Sequence, residues 1–504
     1  MPDEPWWKSA VIYQIYPRSF ADSTGDGVGD LEGIRRHLDH LEWLGVDAIW
    51  LSPFFRSPMA DFGYDVSDYC DVDPLFGDLD AFDRLLADIH GRGMRLIIDW
   101  VPNHSSSEHP WFIAARSSRE DPKRDWYFWR DPHPDGTPPN NWKQAFRDAP
   151  AWTLDPTTDQ LYLHLFLPEQ PDLNWGNPDV EAAMHETLRF WLDRGVDGFR
   201  MDVIHAIGKD PALPDDPPEV AALPHSSLND TPFTHQLLRR IRALLDSYTG
   251  DRMSVGEVFL LDTAKVGTYL RDQLHLAFNF PPLFTKWRSY RWAKQLDDAA
   301  AYIEPNGWPT WVLSNHDVVR HRTRYGSEDR ARAAAVLLLG LRGTPFLYMG
   351  EELGLENADV PPDRVVDPGG RDGCRAPLPW DRSRGHGWGE PWLPFPPDAA
   401  ARSVEALRDE PESILHLYRE LLAQRKASPA LQLGDQERIE VADGALAWER
   451  ARGDDRRVVA VNFTDEAVAV PNLQGTVVVS SDRLGEGETF TGTLGPDQAV
   501  WLRV

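Results

Sequence analysis

The 504-residue chain has only two cysteines, Cys70 and Cys374, which excludes a disulfide-stapled scaffold. It has no long apolar run. The longest candidate, AAAVLLLGL from Ala333 to Leu341, is about half of the ~20 residues that span a bilayer. The opening MPDEPWWKSA lacks the basic and apolar regions of a signal peptide. Basic side chains are scarce, 52 Lys and Arg against 80 Asp and Glu for a net charge of −28, and so acidic a surface repels phosphate backbones. These deficits predict a cytoplasmic protein, a monomer or weak homo-oligomer, with no nucleic-acid or membrane partner.

What the chain does have is alternation. Short β-branched or aromatic runs occur at Val11–Pro17, Ala48–Leu51, Arg95–Val101, Gly198–Val203, Ser254–Phe259, Trp311–Asp317 and Pro345–Gly350. His275–Phe280 is a shorter eighth. Between them lie stretches apolar at helical spacing and ended by glycine, such as Leu31–Gly45 and Val180–Gly195. Repeated βα units predict an α/β fold, a (β/α)8 TIM barrel, whose reactive groups sit at the C-terminal strand ends. The long, Trp- and Pro-rich interval after the third strand reads as a subdomain inserted at 104–171, within a barrel of 1–103 and 172–430. From 431 to 504 short alternating runs replace helices, predicting a C-terminal all-β sandwich. Asp210–Pro218 and Ala358–Pro368 read as loops on the barrel rim.

Acidic residues recur where these strands end: Asp99, Asp202, Glu257 and Asp317. Several carboxylates on one barrel face suit glycosidic bond cleavage, where one attacks or stabilises the cationic sugar and another protonates the leaving oxygen. Arg200, two residues before Asp202, points inward with it. Its guanidinium is expected to keep that carboxylate ionised.

The segments DWVPNH (Asp99–His104), GFRMDVIH (Gly198–His205), GEVF (Gly256–Phe259), SNHD (Ser314–Asp317) and QPDLNW (Gln170–Trp175) resemble, in order and spacing, signature regions of the α-amylase family, in its oligo-1,6-glucosidase and α-glucosidase branch. The resemblance implies a retaining mechanism with Asp202 as nucleophile, Glu257 as acid and base, and Asp317 gripping the sugar hydroxyls. The two reacting carboxyls would then stand about 5 to 5.5 Å apart. It also implies that His104 and His316 donate to the same glucose and that Asp99 supports the site from beneath. Tyr64 would be a stacking platform, and Asp65 would pair with Arg375 of RDGCRAPLPW to close the pocket beyond one glucose. Phe166 and Phe280 are candidate walls; the 21 tryptophans divide between core and sugar stacking without a signal to separate them.

DSTGDGVGD (Asp22–Asp30) spaces oxygen ligands as calcium loops do, with Thr24 where Asn or Asp is usual. By the resemblance, Asp22, Thr24, Asp26, the Val28 carbonyl and Asp30 would hold a structural Ca2+ or Mg2+; no organic cofactor is expected. The implied substrates are small α-glucosides. Val203 should line the leaving-sugar wall, where family members with Val often accept α-1,6 bonds. RDGCR and SNHDVVRH instead resemble bacterial α-glucosidases of broader, maltose-type specificity, which is the expectation adopted. The alternatives are a strict oligo-1,6-glucosidase, a glucosyl-transferring isomerase of the trehalose synthase kind, and a non-catalytic binding subunit, which the intact carboxylates disfavour.

Overall fold

The computed structural model describes residues 4–218 and 230–504. Eight parallel strands form its centre: β1 (Ile12–Ile15), β2 (Ala48–Leu51), β3 (Arg95–Trp100), β4 (Gly198–Met201), β5 (Met253–Gly256), β6 (Leu276–Ala277), β7 (Thr310–Val312) and β8 (Thr344–Tyr348). Their order in the sheet is β6-β5-β4-β3-β2-β1-β8-β7, which brings the first and last strands together as a barrel requires. The short β6 leaves the remaining seam, where the Thr310 hydroxyl donates to the Ala277 carbonyl at 2.6 Å. Several strands are shorter than their apolar runs. Pro17, for example, starts a 3-10 turn directly after β1.

Local sequence fixes where helices begin and end. Asp78 caps the helix Leu79–Gly91 through Ala81 N, and Asn177 caps Pro178–Arg194, with Pro at the first helical position. That second helix stops at Gly195, whose φ of 105° belongs to the left-handed region that glycine adopts without cost. Trp50, Trp100 and Trp311 are buried in the core.

The insertion leaves and rejoins the barrel at neighbouring points. Leu173 N donates to Asn103 O at 2.9 Å and Ser105 N to Pro171 O at 3.1 Å. Between them lie the helix Pro110–Ser117 and a three-stranded antiparallel sheet of Trp129–Arg130, Gln160–Leu163 and Trp152–Asp155. The 210–218 loop docks on this subdomain, accepting hydrogen bonds from Asn140, Asn141 and Trp142. A buried ion pair, Lys209 to Asp172 at 2.9 Å, fixes the point where the insertion rejoins the barrel. C-terminally, the helix Pro429–Leu433 precedes a five-stranded antiparallel sheet starting at Asp435 and a two-stranded one. Trp448 and Arg450 of that sheet donate to Gly340 O at the end of the helix Glu328–Gly340. No helix among the described residues is long and apolar enough to cross a membrane.

Candidate active site

The barrel brings the predicted carboxylates together. Asp99 lies on β3, and Asp202 and Glu257 directly follow β4 and β5. Asp317 sits farther along, because β7 ends at Val312 and an irregular segment carries SNHD to the pocket. Arg200 on β4 is buried beneath them and works as a fork: Nη1 donates to Asp99 at 2.7 Å and Asp202 at 2.5 Å, and Nη2 to Glu257 at 2.7 Å. Gly256 packs closely behind Glu257: a Cβ there would stand 2.4 Å from Leu274 Cδ1 and 2.9 Å from Ile204 Cγ2, and those side chains would have to shift.

Burial shapes the charges. It raises the Asp202 carboxyl well above its ordinary value, opposed by Arg200 and reinforced by the charges of Glu257 and Asp99. The expectation that Arg200 alone holds Asp202 ionised is therefore corrected. Arg200 opposes the rise without cancelling it. Asp99 rises to about 6 by burial, against the pull of Arg200 and of Trp50 Nε1, which donates at 3.1 Å. Asp317 goes the other way: burial would raise it, but His316, Arg371 and Arg375 hold it below the carboxylate range. Burial depresses His104 to about 4 and His316 to about 3, so both imidazoles are neutral near pH 7.

These groups line or support a cavity of 460 Å³, within the range of small-molecule sites. Asp202, Glu257, Asp317, Tyr64, His104, Val203, Phe166 and Phe280 line it; Asp99, Arg200 and His316 support it from below. His316 is engaged on both nitrogens, with Gln14 Nε2 at 2.8 Å and Tyr64 OH at 2.5 Å. No tryptophan lines the cavity.

With this geometry in hand, residues 14–434 match the family model described as alpha amylase, catalytic domain. The chain belongs to the α-amylase family. It is 44% identical over 505 residues to a probable alpha-glucosidase of Rhizobium meliloti, covering 92% of this chain and 91% of that protein. It is 38% identical over 515 residues to an oligo-1,6-glucosidase of Parageobacillus thermoglucosidasius, with 92% and 91% covered. Among solved structures, the alpha-glucosyl transfer enzyme XgtA superposes with a TM-score of 0.91 at 41% identity, over 99% of this chain and 100% of that one. The trehalulose synthase MutB of Pseudomonas mesoacidophila superposes at 0.94 and 34% identity, over 100% of both. This α-amylase-family protein is a glycoside hydrolase with a TIM barrel and a C-terminal all-β domain.

A further expectation about this enzyme needs correction. Asp65 and Arg375 do not pair or line the cavity. Asp65 instead organises its own turn, accepting from Ser57 Oγ, Ala60 N and Asp61 N. Arg375 is fully buried behind Asp317 and donates to His316 O and Asp317. The pair facing the cavity stands four residues earlier on both segments, Asp61 and Arg371, at 2.6 Å. DFGYD holds two Asp and RDGCR two Arg, so the motifs alone left the choice of partner ambiguous. Gln170 Nε2 also reaches Asp61, at 3.1 Å.

The 22–30 loop, for which a cation was expected, is closed by hydrogen bonds from its own backbone. Asp22 accepts from Thr24 N, Gly25 N and Gly27 N, and Asp26 from Val28 N. Asp30 accepts from Ser23 and caps the next helix through Gly33 N. Among the described residues no three His, Cys, Asp or Glu side chains converge as a metal needs. The cavity further includes His205, Phe259 and Asn315, which lie inside the motifs but had no role assigned, and Phe146, Phe284 and Val318, which carry no sequence signal of their own.

Proposed function

We propose that this enzyme is a retaining, exo-acting α-glucosidase that removes the terminal glucose from short α-glucosides, maltose-type disaccharides included. The observation that carries the reading is the Arg200 fork, which holds Asp202 and Glu257 within reach of one guanidinium. So tight a grouping suits carboxyls about 5 to 5.5 Å apart, the retaining spacing, and leaves little room for the intervening water of an inverting enzyme. Asp202 would attack the anomeric carbon while Glu257 gives its proton to the departing oxygen. Glu257 would then take a proton from water as that water displaces Asp202. Asp317, held anionic by its two arginines, is suited to accept the hydroxyls of the sugar.

Exo-action rests on Asp61 and Arg371, whose bridge blocks extension of the sugar chain past one end of the cavity. A second reading, transfer of the glucosyl group to another sugar, is favoured by one observation. Phe259, Phe280 and Phe284 form a ring cluster, with Phe259 centroids at 4.9 and 6.3 Å from the other two. Phe259 lies two residues beyond the acid, and Phe259 and Phe284 remain 42% and 49% exposed. Such rings offer an acceptor sugar a stacking face in competition with water. Product chromatography with maltose, isomaltose, sucrose and amylose tests both. Glucose as the main product from the disaccharides supports hydrolysis; rearranged or lengthened glucosides in its place support transfer. Internal cleavage of amylose would contradict exo-action.

A further inference from the structure

Val203 has a backbone that its side chain disfavours. Its φ is 44° and its ψ 34°, the left-handed region, where a β-branched residue is a genuine outlier. Such strain persists only where surrounding structure over-determines it, and here two anchors do so. The side chain is buried in an apolar cluster with Phe128, Trp142 and Leu165 of the insertion and Leu213 of the rim loop. On the main chain, Ala206 N donates back to Val203 O at 3.0 Å.

The consequence falls on Glu257. The left-handed turn aims Val203 N–H at Glu257 Oε2, 3.1 Å away, the same oxygen that accepts from Arg200 Nη2 at 2.7 Å. The segment grips Glu257 a second time, with His205 Nδ1 3.0 Å from the Glu257 carbonyl. An oxygen that receives two N–H donors has no room for a hydrogen of its own, because an O–H there would oppose both donors. We infer that Val203 is a positioning residue for the proton donor: its strained turn, pinned by the inserted subdomain, fixes Glu257 Oε2 as acceptor and leaves Oε1 to carry the transferable proton. This rests on the reading of Glu257 as the acid. In the step concerned, an Asp202 oxygen bonds to the anomeric carbon, the bond from that carbon to the leaving oxygen breaks, and the Oε1 proton moves to that oxygen.

The test compares two substrates that differ in their need for the proton. Maltose must have its leaving oxygen protonated, whereas α-glucosyl fluoride departs as fluoride without an acid. Val203→Gly frees the turn and removes the anchor. It should lower kcat/KM for maltose by about tenfold or more while lowering that for the fluoride less than about threefold, within the span that general acids supply. Val203→Ala, which keeps a Cβ, should shift the ratio in the same direction, and Val203→Ile, which keeps the branched anchor, should restore it. Equal losses on both substrates in Val203→Gly and Val203→Ala would overturn the inference, and so would equal losses on phenyl and 4-nitrophenyl α-glucoside, whose aglycones are close in shape but differ in their need for a proton, because a lost wall contact at Val203 falls on both alike. Glu257→Gln is the reference. If it spares the fluoride and the Val203 variants do not, only the role of Val203 falls; if it depresses both substrates alike, the assignment of Glu257 falls with it.

Discussion

Replacing Arg371 with lysine separates the pocket-closing role from simple charge. Arg371 donates four hydrogen bonds to three carboxylates: Nε and Nη2 to Asp367 at 2.9 and 2.6 Å, Nη2 to Asp61 at 2.6 Å, and Nη1 to Asp317 at 3.1 Å. A lysine ammonium keeps the charge but cannot span these partners as a planar fork. Losing two charge-assisted bonds, at about 1.5 to 3 kcal/mol each, gives a gross cost of roughly 3 to 6 kcal/mol. Part of that falls on stability, because the bridge exists without substrate. If about 3 kcal/mol falls on sugar binding, kcat/KM for maltose drops on the order of 10²-fold, at about 1.4 kcal/mol per tenfold. Arg375→Lys is the contrast. Arg375 is fully buried, and its bonds go to His316 O and Asp317 behind the cavity, so its loss should appear first in the thermal midpoint. Steady-state kinetics with maltose and differential scanning calorimetry on both variants make the comparison. An Arg371→Lys enzyme within about threefold of wild type on maltose would refute the reasoning.

Asp202→Asn and Glu257→Gln should each lower kcat by several orders of magnitude with folding retained, because each keeps volume and removes a role water cannot replace; azide rescue of glucosyl transfer would identify which carboxylate is missing. The 22–30 loop closes on its own amides, so thermal midpoints in EDTA and in millimolar Ca2+ should coincide; a clear rise with Ca2+ would show that its carboxylates can turn to a cation. Glu351 is buried, its carboxylate 3.9 Å from His321 Nδ1, and burial raises it to about 8. A raised folded value means its contribution is fully present below the unfolded value near 4.5 and is lost as pH rises through 8. Glu351→Gln should therefore raise the thermal midpoint relative to wild type more at pH 9 than at pH 5, and a pH-independent difference would contradict this.

The barrel was legible because its signals are local. A strand run, a glycine stop and a cap such as Asn177 each act within a few residues, and eight repetitions leave few folds to choose from. The candidate carboxylates were legible for the same reason, each lying at or beyond the end of an apolar strand. The closing pair was not. Asp61 and Arg371 are 310 positions apart, and the competing Asp65 and Arg375 have the same residue types at the same spacing, so only the packed structure distinguishes the partners. The upward shift of the Asp202 carboxyl was likewise not legible from Arg200, two residues away, because burial and Glu257, which arrives from another strand, act against that neighbour. The left-handed turn at Val203 contradicts the residue's own preference and is imposed by the insertion, which no local pattern encodes.

The central claim is that Asp202 forms a covalent glucosyl intermediate with Glu257 as its acid and base. Mixing Glu257→Gln with α-glucosyl fluoride tests it directly, since this substrate needs no acid to react and the variant lacks the base that would release the product. Digestion and mass spectrometry should find one glucosyl unit on the peptide containing Asp202. An unmodified peptide, together with a first-formed product of inverted anomeric configuration by NMR, would contradict the account.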